Sequence, residues 1–175
     1  MHRLAFDISL KLCVLATALA LSAGSALAGY ADGRKAFDDG DYAKVLKQLE
    51  PLADDGNGLA QAFVGFSYEQ AGDQHDDAKA TLWLVRAAQS DAVVEGKIVS
   101  FDCGDNCYLT IATKAGQEIG LCVAPECDPW NADAAMPEAL IGKPVKATIG
   151  IGERYMGDGS FVDHALSFRA VAVKK

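Results

Sequence analysis

Apolar positions in the first half of the chain recur at intervals of three and four. Tyr42, Val45, Leu46, Leu49, Leu52 and Ala53 mark one face of a helix over 41–55. Leu59, Ala62, Phe63, Phe66 and Gln70 do the same over 59–71, and Ala80, Trp83, Leu84, Ala87 and Ala88 over 76–89. A shorter helix is expected over 32–38. Asp41 and Asp76 stand where an N-cap carboxylate accepts from free first-turn amides, and Gly56 and Gly72 where the chain turns left-handed past a helix end. Pro51, inside the second helix, removes the bond to the Lys47 carbonyl and should bend the axis. From Val93 onward the period drops to two. Strands are predicted over 93–101, 107–113, 118–123, 144–152 and 166–173, all rich in Val, Ile, Thr and aromatics. Three inward-facing sets follow by alternation: Leu109 and Ile111; Ile119, Leu121 and Val123; Val145, Ala147, Ile149 and Ile151. Turns fall at 114–117 and 156–160, and a short helix is expected over 132–140. The pattern predicts an α+β chain, helical over 29–91 and five-stranded over 92–175.

Residues 1–28 stand apart from this pattern. Arg3 and Lys11 flank a short charged start, 12–21 is an apolar run too short to span a bilayer, and Ala26-Leu27-Ala28 places small residues at the cleavage positions. The segment reads as a secretory signal peptide, with the exported chain beginning at Gly29. No lipid-attachment box precedes a cysteine, so a periplasmic or secreted protein without membrane insertion after cleavage is expected.

Export changes the reading of the cysteines. The chain has five; Cys13 leaves with the leader, and Cys103, Cys107, Cys122 and Cys127 enter an oxidising compartment where disulfides persist. Four thiolates can also close a zinc site, but the compartment and spacings wider than the two-residue knuckle oppose it. Thiol–disulfide chemistry at Cys103 and Cys107 lacks the Cys-x-x-Cys spacing at a helix start that depresses a thiol pKa. Two structural bridges are therefore predicted, Cys103–Cys107 and Cys122–Cys127. Strand parity supports local pairing, since alternation sets Cys107 on the face of Leu109 and Ile111 and Cys122 opposite that of Ile119 and Leu121.

The formal net charge of −8 disfavours nucleic acid and anionic lipid surfaces, whose binding depends on a Lys/Arg footprint. His75 and His164 have no nucleophile at suggestive spacing, and the pairs Asp38-Asp39, Asp54-Asp55 and Asp76-Asp77 read as caps and solvating charge. Asp102, Asp105 and Asn106 offer too few oxygens for a calcium loop. Trp83 and Trp130 read as packing residues before interface anchors. No catalytic residue, metal ligand or cofactor is predicted.

Ala43-Lys44 recurs as Ala78-Lys79 at an offset of thirty-five residues. The run Pro51-Leu52-Ala53-Asp54-Asp55-Gly56-Asn57, then Ala60-Gln61, Gly65, Tyr68, Gly72, Asp77, Ala80, Trp83 and Ala87-Ala88, resembles the SEL-one-like repeat, a relative of the tetratricopeptide repeat, over 41–90. Gly72-Asp73-Gln74-His75 replaces the family's usual turn. The resemblance implies antiparallel helix pairs and a protein-interaction role, often in envelope complexes, with Trp83 at the family's packing tryptophan. Such units normally need roughly three repeats to be stable alone, so this short array has a second reading, in which it only packs on the barrel. In the second half, Gly96-Lys97-Ile98, Tyr108-Leu109 before Gly116, Leu140 through Val145 and Phe168-Arg169-Ala170-Val171 resemble the small OB-type barrel. That likeness implies binding through the second and third strands and adjoining loops. Asp102, Asp105, Glu118 and Glu126 crowd that region, which favours a cationic or protein ligand.

The expected function is that of an exported, non-enzymatic adaptor or scaffold that binds a protein partner in the bacterial envelope. Tyr68, Tyr108, Trp130, Asp102 and Asp105 are the candidate binding surface. The alternatives are a module taking a small cationic or saccharide ligand on the barrel, and a thiol oxidoreductase.

Overall fold

A computed structural model describes residues 27–174; the predicted leader, up to residue 26, lies outside them. Four helices precede five strands. The first, α1, is described over 27–38 and reaches farther upstream than the expected 32–38. It is followed by α2 (Tyr42–Asp54), α3 (Gly58–Gln70) and α4 (Asp77–Gln89). The predicted caps form: Asp41 accepts from the Lys44 amide and Asp76 from the Lys79 amide. Gly56 and Gly72 take positive φ, +88° and +47°, the conformation for which a side chain carries a steric penalty. Pro51 is held within the last turn of α2, which runs through it to Asp54.

α3 is buried along nearly its whole length because it has neighbours on every side: α2 and α4 flank it, and the barrel covers it from below. Leu84 of α4 fills the space over Gly65, where a Cβ would lie 2.7 Å from its Cδ2. Phe63 and Phe66 stack edge-on at 5.8 Å, and Phe37 of α1 meets Phe63 at 5.1 Å. Trp83 is buried in α4, with the Arg86 guanidinium 4.8 Å from its ring centroid.

The strands β1 (Val93–Cys103), β2 (Cys107–Ala112), β3 (Gln117–Cys122), β4 (Pro144–Tyr155) and β5 (Phe161–Val173) close into a barrel in the order β1-β2-β3-β5-β4. Closure depends on a short parallel contact, Leu121 with Ser167 and Cys122 with Phe168. The first half of β3 therefore diverges from β5, and the helices cover that gap. Between β3 and β4 the expected helix over 132–140 is displaced. The short helix α5 (Asp128–Asp133) carries Pro129 in its first turn, where a missing N–H costs nothing, and ends at Ala134 in the left-handed conformation before Pro137 blocks continuation. A single 3-10 turn over Glu138–Leu140 follows.

The barrel interior corrects one expected strand face. Leu109, Ile111, Val145, Ala147 and Ile149 are buried as predicted. In β3 and just past its end, however, Ile119 and Val123 are 47% and 54% exposed, and Glu118, Gly120 and Cys122 face inward with Leu109 and Ile111 across the ladder. Leu121 is buried on the opposite side, over Gly152. The alternation is intact but its hand is reversed, because a buried partner compensates a charged residue that alternation alone assigns to solvent. The same register, extended by one residue, sets Cys107 opposite Cys122 on one face, so the parity argument for local disulfides does not hold. The local bridges Cys103–Cys107 and Cys122–Cys127 nevertheless form. Cys103 directly faces Cys107 at the end of the β1–β2 hairpin, and the turn over Pro125–Cys127 returns Cys127 to Cys122.

Gly120 has to be glycine for a steric reason, since an added Cβ would lie 2.9 Å from the buried Phe168 ring. Gly120→Ala is expected to cost about 1–3 kcal/mol by overpacking. Combining it with Phe168→Leu should recover part of the loss in denaturant unfolding; an additive loss would show that the two sites do not touch.

Candidate functional site

Helices and barrel meet around a buried carboxylate. Glu118, 1% exposed, accepts from the Tyr30 hydroxyl at 2.7 Å and from Arg34 Nε at 3.2 Å. Both donors come from one face of α1, four residues apart, so a single helix docks over the barrel mouth with two hydrogen bonds in register. Arg34 also pairs with Asp38 and lies 4.6 Å from the Phe63 ring centroid. Burial pushes the Glu118 carboxyl above its ordinary range, and Tyr30 and Arg34 oppose that shift. Tyr30 is pushed well above the usual phenol value by burial and then by the Glu118 charge, so it acts as a neutral donor.

A second polar line joins α3 to the β4–β5 hairpin. His164 Nδ1 lies 2.6 Å from Glu69 Oε1, Gln70 Nε2 donates to Asp163 at 3.4 Å, and Asp163 pairs with Arg154. Between the two lines, a cleft of about 380 Å³ opens at the joint of helices and barrel.

The β4–β5 hairpin extends past its predicted ends, which were residues 152 and 166, and its tip carries the most exposed apolar side chains in this region. Tyr155 and Phe161 stack edge-on at 6.1 Å, Met156 and Phe161 are 56% and 51% exposed, and Val162 adjoins them. Glu153 and Asp158 are exposed beside these residues. The β1–β2 loop supports the tip: Asn106 Nδ2 donates to the Tyr155 carbonyl at 2.9 Å, and Asp105 lies against Gly157.

Of the candidate surface residues, Asp102, Asp105 and Tyr108 belong to this end of the barrel. Asp102 faces Tyr108 across β1 and β2 and accepts from Ser100 Oγ at 2.6 Å. Trp130 lies elsewhere, half-buried and edge-on to Phe101 at 5.8 Å. Tyr68 is buried inside the helical array, where it donates to Glu50 beneath Lys79. Burial and that hydrogen bond push its phenol up to about 12. Sequence reasoning did not find Tyr30, Arg34, Arg154, Tyr155, Met156, Phe161 or Val162. For the tip, the run of aromatic and apolar residues on both sides of the glycine turn was the available signal.

Among the described residues no group of three or more His, Cys, Asp or Glu is placed to hold a metal ion, and no helix is long and apolar enough to cross a membrane. No family model matches the chain and no curated protein is similar to it, so its own geometry has to carry any functional assignment.

Proposed function

We propose that this chain is an exported, non-enzymatic protein-binding module of the bacterial envelope, and that it holds its partner at the tip formed by the β4–β5 hairpin and the β1–β2 loop. The observation that carries this is the contiguous exposure of Tyr155, Met156, Phe161 and Val162. Isolated surface apolar residues need no explanation, but a contiguous patch ringed by charge marks a contact surface. Asp102, Asp105, Glu153 and Asp158 surround it, and Arg154, the cation nearest in sequence, is already paired to Asp163. The partner that fits offers apolar side chains flanked by Lys or Arg.

Two features favour the barrel over the helical groove as the contact surface. α3 is already covered by α2, α4 and the barrel, and α1 is fastened over Glu118. The capped helix pairs, the close Gly65–Leu84 approach and the buried Trp83 support the SEL-one-like reading, with the array packed on the barrel. The strand order, with a helix between β3 and β4, supports the OB-type reading, and in such barrels the loops after the first and fourth strands flank the ligand. The paired cysteines Cys103–Cys107 and Cys122–Cys127 support export to an oxidising compartment.

Cross-linking in intact cells tests the assignment. Met156→Asp with Phe161→Asp is expected to abolish the adduct while costing about 0.5 kcal/mol at exposed Met156 and about 0.5–1.5 kcal/mol at Phe161, which loses its edge-on contact with Tyr155. An adduct that persists in the double variant would rule the tip out as the contact surface.

A further inference from the structure

We infer that the Cys103–Cys107 bridge is a reducible clasp: a dithiol opens it, frees the β1–β2 loop and withdraws the brace from the β4–β5 tip, while Cys122–Cys127 stays closed. The two bridges differ in access. Cys103 and Cys107 are both partly exposed at the open end of the β1–β2 hairpin, and Gly104 beside them has empty space where a Cβ would stand. Cys122 and Cys127 are 2% and 0% exposed and belong to the barrel core, with Asn131 Nδ2 donating to the Cys122 carbonyl at 2.9 Å. Disulfide exchange needs a thiolate to reach a bridge sulfur, so access decides which bridge reacts.

The loop that this bridge closes, Gly104-Asp105-Asn106, is the part of the barrel that touches the tip. Asn106 donates to the Tyr155 carbonyl, and an added Cβ at Gly157 would lie 3.1 Å from Asp105 Oδ1. Within the loop the Gly104 amide donates to the Asn106 carbonyl at 3.0 Å, and the Asn106–Tyr155 bond is exposed to water. Water competes for such bonds and leaves them a modest net gain, so the covalent bridge is what restricts the loop. The strand pairs behind it, Asp102 with Tyr108 and Phe101 with Leu109, do not depend on the bridge, and the barrel stays closed when it opens. In the reaction, one thiolate of the dithiol attacks a bridge sulfur, forming a mixed disulfide and releasing the other cysteine as a thiolate that takes up a proton. The second thiol then attacks the mixed disulfide and releases the second cysteine. Two electrons and two protons reach Cys103 and Cys107, and the reductant leaves as its own intramolecular disulfide.

Limited reduction of the folded, oxidised protein with dithiothreitol provides the test, with alkylation and peptide mapping to trap each freed thiol. Cys103 and Cys107 are expected to be labelled at least about tenfold faster than Cys122 and Cys127. In the singly reduced protein, amide hydrogen exchange should quicken at Asn106, Tyr155 and Gly157 and stay unchanged at Phe66 and Leu84 in the helical array. Cys103→Ser combined with Cys107→Ser should reproduce that exchange pattern without reductant. Equal or faster opening of Cys122–Cys127 would overturn the inference, as would a bridge that resists reduction until the protein unfolds. Opening of Cys103–Cys107 with no change at the tip amides would overturn it as well. Reduction of the unaltered protein decides the matter even if the double variant fails to fold. Only the consequence, loss of partner binding on reduction, rests on the tip being the contact surface. Exchange in the isolated protein reads the clasp alone, and cross-linking reads the tip, so failure of either is distinguishable.

Discussion

Replacing Arg34 by Ala is expected to destabilise the protein by about 3–5 kcal/mol at neutral pH, because it leaves the Glu118 carboxylate buried without its counter-charge. The loss should depend on pH in a defined sense. Glu118 is held above its ordinary value of 4.5 by burial, against the pull of Tyr30 and Arg34. A carboxyl raised in the folded state binds its proton more tightly folded than unfolded. Its contribution to stability is fully present below the unfolded value and is lost as pH rises through the folded one. Removing Arg34 raises Glu118 further, so the deficit against the parent protein should be largest at neutral pH and shrink as pH falls towards 4.5. Arg34→Met combined with Glu118→Leu should recover most of the loss, since an apolar pair of similar size avoids burying charge. Urea midpoints for the parent and both variants across this range give the answer. A deficit independent of pH would mean that Glu118 is not the group left unpaired. The Arg34–Asp38 pair is a lesser concern, because Asp38 is exposed and screened.

Trp83→Ala is the second large effect, at about 3–5 kcal/mol, because truncating a buried indole removes its transfer free energy and leaves a cavity between packed helices. For a chain of this size that corresponds to a fall in Tm of about 6–20 °C. Arg86→Ala separates packing from the stacked charge, since losing a cation over an aromatic face costs only about 0.5–1 kcal/mol where solvent reaches it. A loss below about 1 kcal/mol for Trp83→Ala would mean that the indole is not anchored in the core, and would revive its reading as an interface residue.

Local chemistry made much of the architecture legible. Helix ends were marked by Asp41, Asp76, Gly56 and Gly72 because capping and left-handed turns are decided within a few residues. All five strands were recognisable from their β-branched and aromatic residues, and three of the four interior helices to within a residue or two. The displaced helix between β3 and β4 shows the limit of composition alone: Pro129 fits its first turn and Pro137 prevents its extension, and the two prolines carry opposite meanings at the two ends.

The candidate sites were much less legible, for a single physical reason. Whether Glu118 faces solvent or the barrel interior is decided by Tyr30 and Arg34, more than eighty residues away in sequence, and only their hydrogen bonds make its burial tolerable. Once Glu118 turns inward, pleat parity forces Gly120 and Cys122 inward and Ile119 and Val123 outward. The hairpin tip was hidden in a similar way. Glu153, Arg154, Asp163 and His164 interrupt the apolar alternation, and strand pairing continues through them because β4 and β5 ladder together while α3 engages Asp163 and His164. By itself, the sequence determined the order of the main helices and strands, their caps and the acidic balance, all of which depend on neighbours in the chain. The tertiary structure decided which face of β3 is interior, how far the β4–β5 hairpin projects, and where helices and barrel leave a cleft. Each of these depends on contacts between distant segments, which no local pattern records.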